Sequence, residues 1–211
     1  MKLTYLNEYH FFNETIMPDN PMVVQIGLMG ADHLKNLRAK YPGAEIHALE
    51  ADPQNSDDMM GDAEALEIHL WEGALSQKSV EGTLYQYKSG VASSLFPRHE
   101  ITPDNPEYGK LRSSVKVDGT TLMQFFKDIR VKYVDLLIMN CEGAELFALN
   151  EIIKKKTLRE KIAQICVSFH SPRIYTQEER DNVIAGLLDT HHHLVGKKCP
   201  GIPDHLFIRK V

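Results

Sequence analysis

Along this chain, short apolar runs alternate with segments whose apolar residues recur at helical spacing. The first run, MVVQIGL (22–28), is apolar on consecutive positions, the pattern of a strand covered on both faces. ADHLKNLRAKYPG follows as an amphipathic helix closed by Pro42-Gly43. AEIHALE (44–50) reads as the next strand, Pro53 suits the first turn of another helix, and LEIHLWEGALS (66–76) holds a third strand. This rhythm predicts an α/β fold with a parallel sheet and helices on both faces.

The middle breaks the rhythm. GTLYQYKSG (82–90) alternates like a half-exposed strand, and VASSLFPRHEITPDNPEYGKLR after it is rich in Pro, Ser and Asn. The region around 82–117 therefore reads as an inserted strand with a long loop of the kind that contacts substrate. SSVKVDG predicts a short strand and TTLMQFFKDI a helix with Asp118 or Thr120 near its N-cap. The α/β alternation then resumes. YVDLLIMN (133–140) is a buried strand, GAELFALNEIIKK a helix and KIAQICVSFH (161–170) a strand. Thr176 and Glu179 form a capping box for the helix after it, and HHHLVGK with DHLFIRKV predicts a closing hairpin. No repeat or linker interrupts the chain, so one domain over 1–211 is expected.

Composition narrows the function. The 211 residues are 43% apolar and 25% charged, with a net charge of −5. An acidic balance argues against a general nucleic-acid grip, and Lys154, Lys155 and Lys156 read as a solvated helix end. No apolar stretch approaches the roughly 20 residues that span a bilayer. The N-terminus is too polar for a signal peptide. The three cysteines, Cys141, Cys166 and Cys199, are widely spaced, with no CxxC. A reducing, cytoplasmic setting follows as the expectation. Oligomeric state is not legible.

In open α/β sheets, ligands bind beyond the carboxyl ends of the strands, where the strand order reverses. That rule selects Gly27, Glu50, Gly73, Asn140 and His170. Gly27 and Gly30 either present helix N–H groups to a ligand or simply form a tight turn. No GK[ST] follows, and the spacing is not GxGxxG, so neither a P-loop nor a dinucleotide pyrophosphate site is supported. Glu50 ends the second strand about 20 residues on, where a carboxylate can accept both hydroxyls of a ribose; the alternative is an exposed strand end. Asn140 and Glu142 place an amide and a carboxylate at the same edge, although Asn140 can equally cap the next helix. His170 can act as a general base, a metal ligand or a hydrogen-bonded structural group. His191, His192 and His193 read as a surface turn between helix and strand.

The order VVQIGLMGADHL, IHALEADP, WEGALS, SSL, VDGTTLMQFF, VDLLIMNCEGAE and VSFH resembles the FkbM family of S-adenosylmethionine-dependent methyltransferases, from Val23 to about His170. The resemblance implies the Rossmann-like class I methyltransferase fold: seven strands, mostly parallel, with an antiparallel last strand. It also implies S-adenosyl-L-methionine as cofactor. Gln25, Gly27, Met29, Gly30 and Ala31 would form the turn at its methionine part, Glu50 and Ala51 would face its ribose, Gly73 and Ala74 its adenine, and Asn140 would lie beside it. Catalysis would fall to His170, Glu142 and Asn140. The family pattern is departed from at Gln25, where Asp is usual, at Leu28 and Met29, at Ala31, and at Ile138-Met139-Asn140 in place of K-x-D.

Methyl transfer is an in-line displacement that needs the acceptor held in line and its proton removed. The resemblance points to O-methylation of a small-molecule or glycan hydroxyl (EC 2.1.1.-), with no nucleic-acid or membrane partner. With Asn140 replacing a carboxylate, the metal-free version is favoured over one using Mg²⁺. The competing expectations are a diverged or non-catalytic nucleoside-binding protein on the same scaffold and an NAD(P)-dependent Rossmann reductase.

Overall fold

The computed structural model describes residues 1–28, 30–88, 93–97, 110–170, 174–196 and 204–210. An N-terminal hairpin of β1 (Leu3–Tyr5) and β2 (Phe11–Asn13) leads into β3 (Met22–Ile26), α1 (Asp32–Lys40), β4 (Glu45–Glu50), α2 (Pro53–Ala65) and β5 (Ile68–Glu72). Four short strands come next: β6 (Ala74–Leu75), β7 (Gly82–Tyr87), β8 (Leu111–Val117) and β9 (Gly119–Thr120). They are followed by α3 (Leu122–Asp128), β10 (Leu136–Met139), α4 (Glu145–Lys154), α5 (Lys156–Arg159) and β11 (Gln164–Val167). The described chain closes with α6 (Gln177–Leu188), β12 (His191–Val195) and β13 (His205–Arg209).

The central sheet has seven strands in the order β12-β13-β11-β10-β3-β4-β5. All run parallel except β13, which is antiparallel to both neighbours. Alternation along the strands splits the core in two, because successive side chains leave opposite faces. Val24, Ile26, Leu137 and Met139 pack with Phe125, Leu149 and Leu187 on one face. Val23, Leu136 and Ile138 pack with Phe12, Leu34 and Leu37 on the other. That two-sided burial is why Leu136–Met139 is an unbroken apolar run. None of the described helices is long and apolar enough to cross a membrane.

Several elements differ from the sequence reading. The third strand stops at Glu72: Gly73 adopts φ +149°, and Ala74–Leu75 leaves the sheet to pair with Gly119–Thr120. The N-cap of α3 is Thr121, whose side chain accepts from the Gln124 N–H, rather than Asp118 or Thr120. Asn140 does not cap α4, which starts after Ala144. The three histidines are not a turn but most of β12, with His191 buried. β1 and β2 had no sequence signal, being only three residues each. The Thr176–Glu179 capping box is formed, and the β7–β8 ribbon lies outside the central sheet.

Candidate functional site

The order of the central sheet reverses between β3 and β10, and the chain ends there nearly touch. Gly27 has φ +79°, and a Cβ on it would lie 2.1 Å from the Asn140 carbonyl oxygen. The missing side chain therefore makes room for a neighbouring strand as well as for a left-handed turn. Behind the turn, Gln25 is fully buried. Its amide donates to the Gly27 carbonyl at 2.6 Å, and its oxygen lies 3.2 Å from His33 Nε2.

In front of the turn is a cleft open to solvent at its mouth. Glu50 stands at one end. Its Oε2 accepts from the Leu28 N–H at 2.6 Å and its Oε1 from the Asp52 N–H at 2.8 Å. Oε1 also accepts from the Asn55 amide at 3.5 Å, which leaves Oε2 with a further lone pair for a ligand hydroxyl. Burial pushes the Glu50 carboxyl up, and the two N–H donors pull against it.

A short segment covers the cleft. Ser93 Oγ donates to Asp52 at 2.6 Å, and Ser94 Oγ to the Glu142 carbonyl at 2.6 Å. Ser94 also pairs with Tyr85 of β7, and Phe96 packs on Phe147 at 5.4 Å. Asp52 caps α2 and takes a further bond from Gln86 at 2.7 Å, so a buried carboxylate ties this cover to the sheet.

At the other end lie Asn140 and Glu142. Glu142 (φ +49°) and Gly143 (φ +105°) are consecutive left-handed residues, which swing the Glu142 carboxylate toward His170. His170 Nε2 is 3.3 Å from Glu142, and its Nδ1 is 2.9 Å from the fully buried Glu145. Burial disfavours charge on this imidazole, but the two carboxylates outweigh it and raise its pKa to about 10. At neutral pH His170 already holds its proton, so it has no free lone pair for the base role expected from sequence. The carboxylate of Glu142 lines the cleft.

Of the residues singled out from sequence, Gly27, Glu50, Ala51, Gly73, Ala74, Asn140 and Glu142 line the cleft. Gln25 and His170 support it from outside the lining, and Gly30 and Ala31 lie past it at the entry to α1. Met29 lies outside the described residues, as does most of the loop after β7. Sequence reasoning gave no site role to Ser93, Ser94, Glu145 or Tyr175, although SSL and EGAE are among the segments that carry the resemblance. Their contacts join distant parts of the chain.

A second buried cluster joins His10, Cys166 and Asp204, with one candidate ligand atom each within 4.8 Å of the others. The His10–Asp204 separation of 2.7 Å is that of a shared proton. Ligands on one zinc ion stand about 3.3 Å or more apart. Ser168 donates to the other Asp204 oxygen at 2.5 Å, so the cluster is a closed hydrogen-bond network.

Comparisons with known proteins bear on this geometry. The family model described as Methyltransferase FkbM domain matches residues 32–210. No curated protein matches the chain. Among solved structures, the methyltransferase FkbM from Methylobacillus flagellatus has a TM-score of 0.57 at 14% identity, covering 97% of this chain and 48% of that one. The chain thus spans about half of that protein's length. The fibrillarin pre-rRNA processing protein of Methanococcus jannaschii gives a TM-score of 0.55 at 10% identity, covering 99% and 70% of the two chains. An O-methyltransferase from Bacillus cereus in complex with SAH gives 0.50 at 10% identity, covering 91% and 75%. At these identities the neighbours establish the fold alone.

Proposed function

The chain belongs to the FkbM methyltransferase family, and from that premise we propose that it transfers a methyl group from S-adenosyl-L-methionine to a hydroxyl oxygen of a small molecule or glycan. One observation carries the choice of cofactor. Among the described residues, the cleft is lined by the carboxylates Glu50 and Glu142 and by no Lys, Arg or His. Two carboxylates repel the phosphates of NAD(P) and favour a cationic, phosphate-free nucleoside. Leu49, Leu75, Leu84 and Leu95 supply the apolar surface that a flat base requires.

The residues fit this group. Glu50 would hold the ribose hydroxyls, the backbone around Gly27 the amino-acid end, and Gly73 with Ala74 the base. When bound, S-adenosylmethionine supplies an electrophilic methyl on a sulfonium and is left as the thioether. Methylating a hydroxyl also releases one proton, which Glu142 takes up directly or through one water.

Isothermal calorimetry tests the reading. Wild-type protein is expected to bind S-adenosylhomocysteine and not NAD, and Glu50→Ala to weaken binding by about 10–100-fold, equivalent to about 1.4–2.8 kcal/mol. Undiminished affinity in the variant, or no binding by the wild type, would refute it.

A further inference from the structure

Glu145 and Tyr175 lie outside the cleft lining, yet both bear on Glu142 at its wall. Glu145 opens α4, and its side chain is fully buried. Its Oε1 accepts from Tyr175 Oη at 2.6 Å, from the His170 N–H at 3.1 Å and from His170 Nδ1 at 2.9 Å. Its Oε2 accepts from the Gly143 N–H at 2.9 Å, with Cys141 Sγ at 3.6 Å. Every one of these neighbours is a donor, which requires an ionised carboxylate at the centre.

The same logic fixes His170. Each ring nitrogen faces a carboxylate oxygen, one at 2.9 Å and one at 3.3 Å. Carboxylates accept and do not donate, so a neutral imidazole would set a lone pair against one of them. Two facing carboxylates therefore favour the doubly protonated ring.

We propose that Glu145, locked in place by Tyr175, is a positioning residue that holds His170 in a fixed orientation, so that its Nε2 side forms an ion pair with the cleft-facing Glu142 carboxylate. The proposal deepens the functional reading and rests on it for the role of Glu142. It explains why a charge is buried at position 145: the carboxylate acts on the cleft through the imidazole.

The groups facing this network leave it intact near neutral pH. Burial alone would raise Glu145, but the charge and hydrogen bond of His170 and the bond from Tyr175 outweigh it and hold Glu145 below the ordinary carboxylate range. Burial and the Glu145 charge raise the Tyr175 phenol, so it stays a donor. Burial and the nearby carboxylates Glu145, Glu142 and Glu50 push the Cys141 thiol well up, so it stays neutral.

NMR of ¹⁵N-histidine-labelled, ligand-free protein tests the proposal, with His170 assigned by its loss in His170→Asn. The wild type is expected to show both ring N–H groups at pH 7.5 and a titration midpoint above about 9. Removing one facing charge moves such a midpoint by about 1–3 units. Glu145→Gln is expected to lower it by that amount. Glu142→Gln, at the cleft wall where folding is not at stake, is expected to lower it by about one unit. A wild-type midpoint near 6.5, or one unmoved by either variant, overturns the proposal. Because no cofactor is present, failure here is separate from failure of S-adenosylhomocysteine binding, which would sink the functional reading instead.

Discussion

Replacing Gly27 by alanine probes the contact on which the site is built. The added Cβ would sit 2.1 Å from the Asn140 carbonyl oxygen and 2.9 Å from its carbon, both backbone atoms. No rotamer change relieves such an overlap, so β3 and β10 must separate by about 1 Å at their ends. Overpacking of this kind costs about 1–3 kcal/mol. Holding alanine at φ +79° adds about 1–2 kcal/mol. The sum, about 2–5 kcal/mol, is a large part of a typical 5–15 kcal/mol stability. At about 2–4 °C per kcal/mol for a chain of this size, the melting temperature should fall by about 4–20 °C. Gly30→Ala is the control: its φ is +78°, but no atom lies within 4 Å of the added Cβ. It should lose only the conformational part. Differential scanning calorimetry of both variants, with S-adenosylhomocysteine titrations alongside, separates the two contributions. Equal melting temperatures for Gly27→Ala and Gly30→Ala, with equal affinities, would refute the steric argument.

Two further predictions concern charge. Burial lowers His33 to about 3 and His191 and His205 to about 4, from an ordinary 6.5. Stability they contribute is present above pH 6.5 and lost as pH falls toward those values, with a slope of about 1.4 kcal/mol per pH unit for each proton taken up on unfolding. His170, raised to about 10, works in the opposite sense: its contribution is full below pH 6.5 and lost as pH rises through 10. Urea unfolding should therefore show maximal stability near pH 6.5, and His170→Asn should flatten the alkaline side alone; an unchanged alkaline limb would contradict the assigned charge. Asp204→Asn turns one of two acceptor oxygens into a donor facing His10 or Ser168 inside the core, and should cost about 1–3 kcal/mol in urea unfolding. Added zinc should leave wild-type stability unchanged, and a zinc-dependent rise in melting temperature would show an ion site there instead.

What the sequence determined by itself is whatever depends on neighbours in the chain. The unbroken run at β10 announced burial on both faces, and Thr176 with Glu179 announced a helix start, because periodicity and capping act within a few residues. Gly27, Glu50 and Asn140 could be placed at one edge from the βα rhythm alone, since carboxyl ends of parallel strands converge whatever the side chains are. Only the tertiary structure decided what these groups do there. Gly27 answers to a carbonyl from position 140, Asp52 holds a serine 41 residues away, and Glu145 meets His170 and Tyr175 across 25 and 30 residues. The charge on His170 is the clearest case. A histidine read in isolation is a base poised near neutrality, whereas two carboxylates brought together by folding fix its proton, because electrostatic energy depends on distance in space and burial rather than on order along the chain.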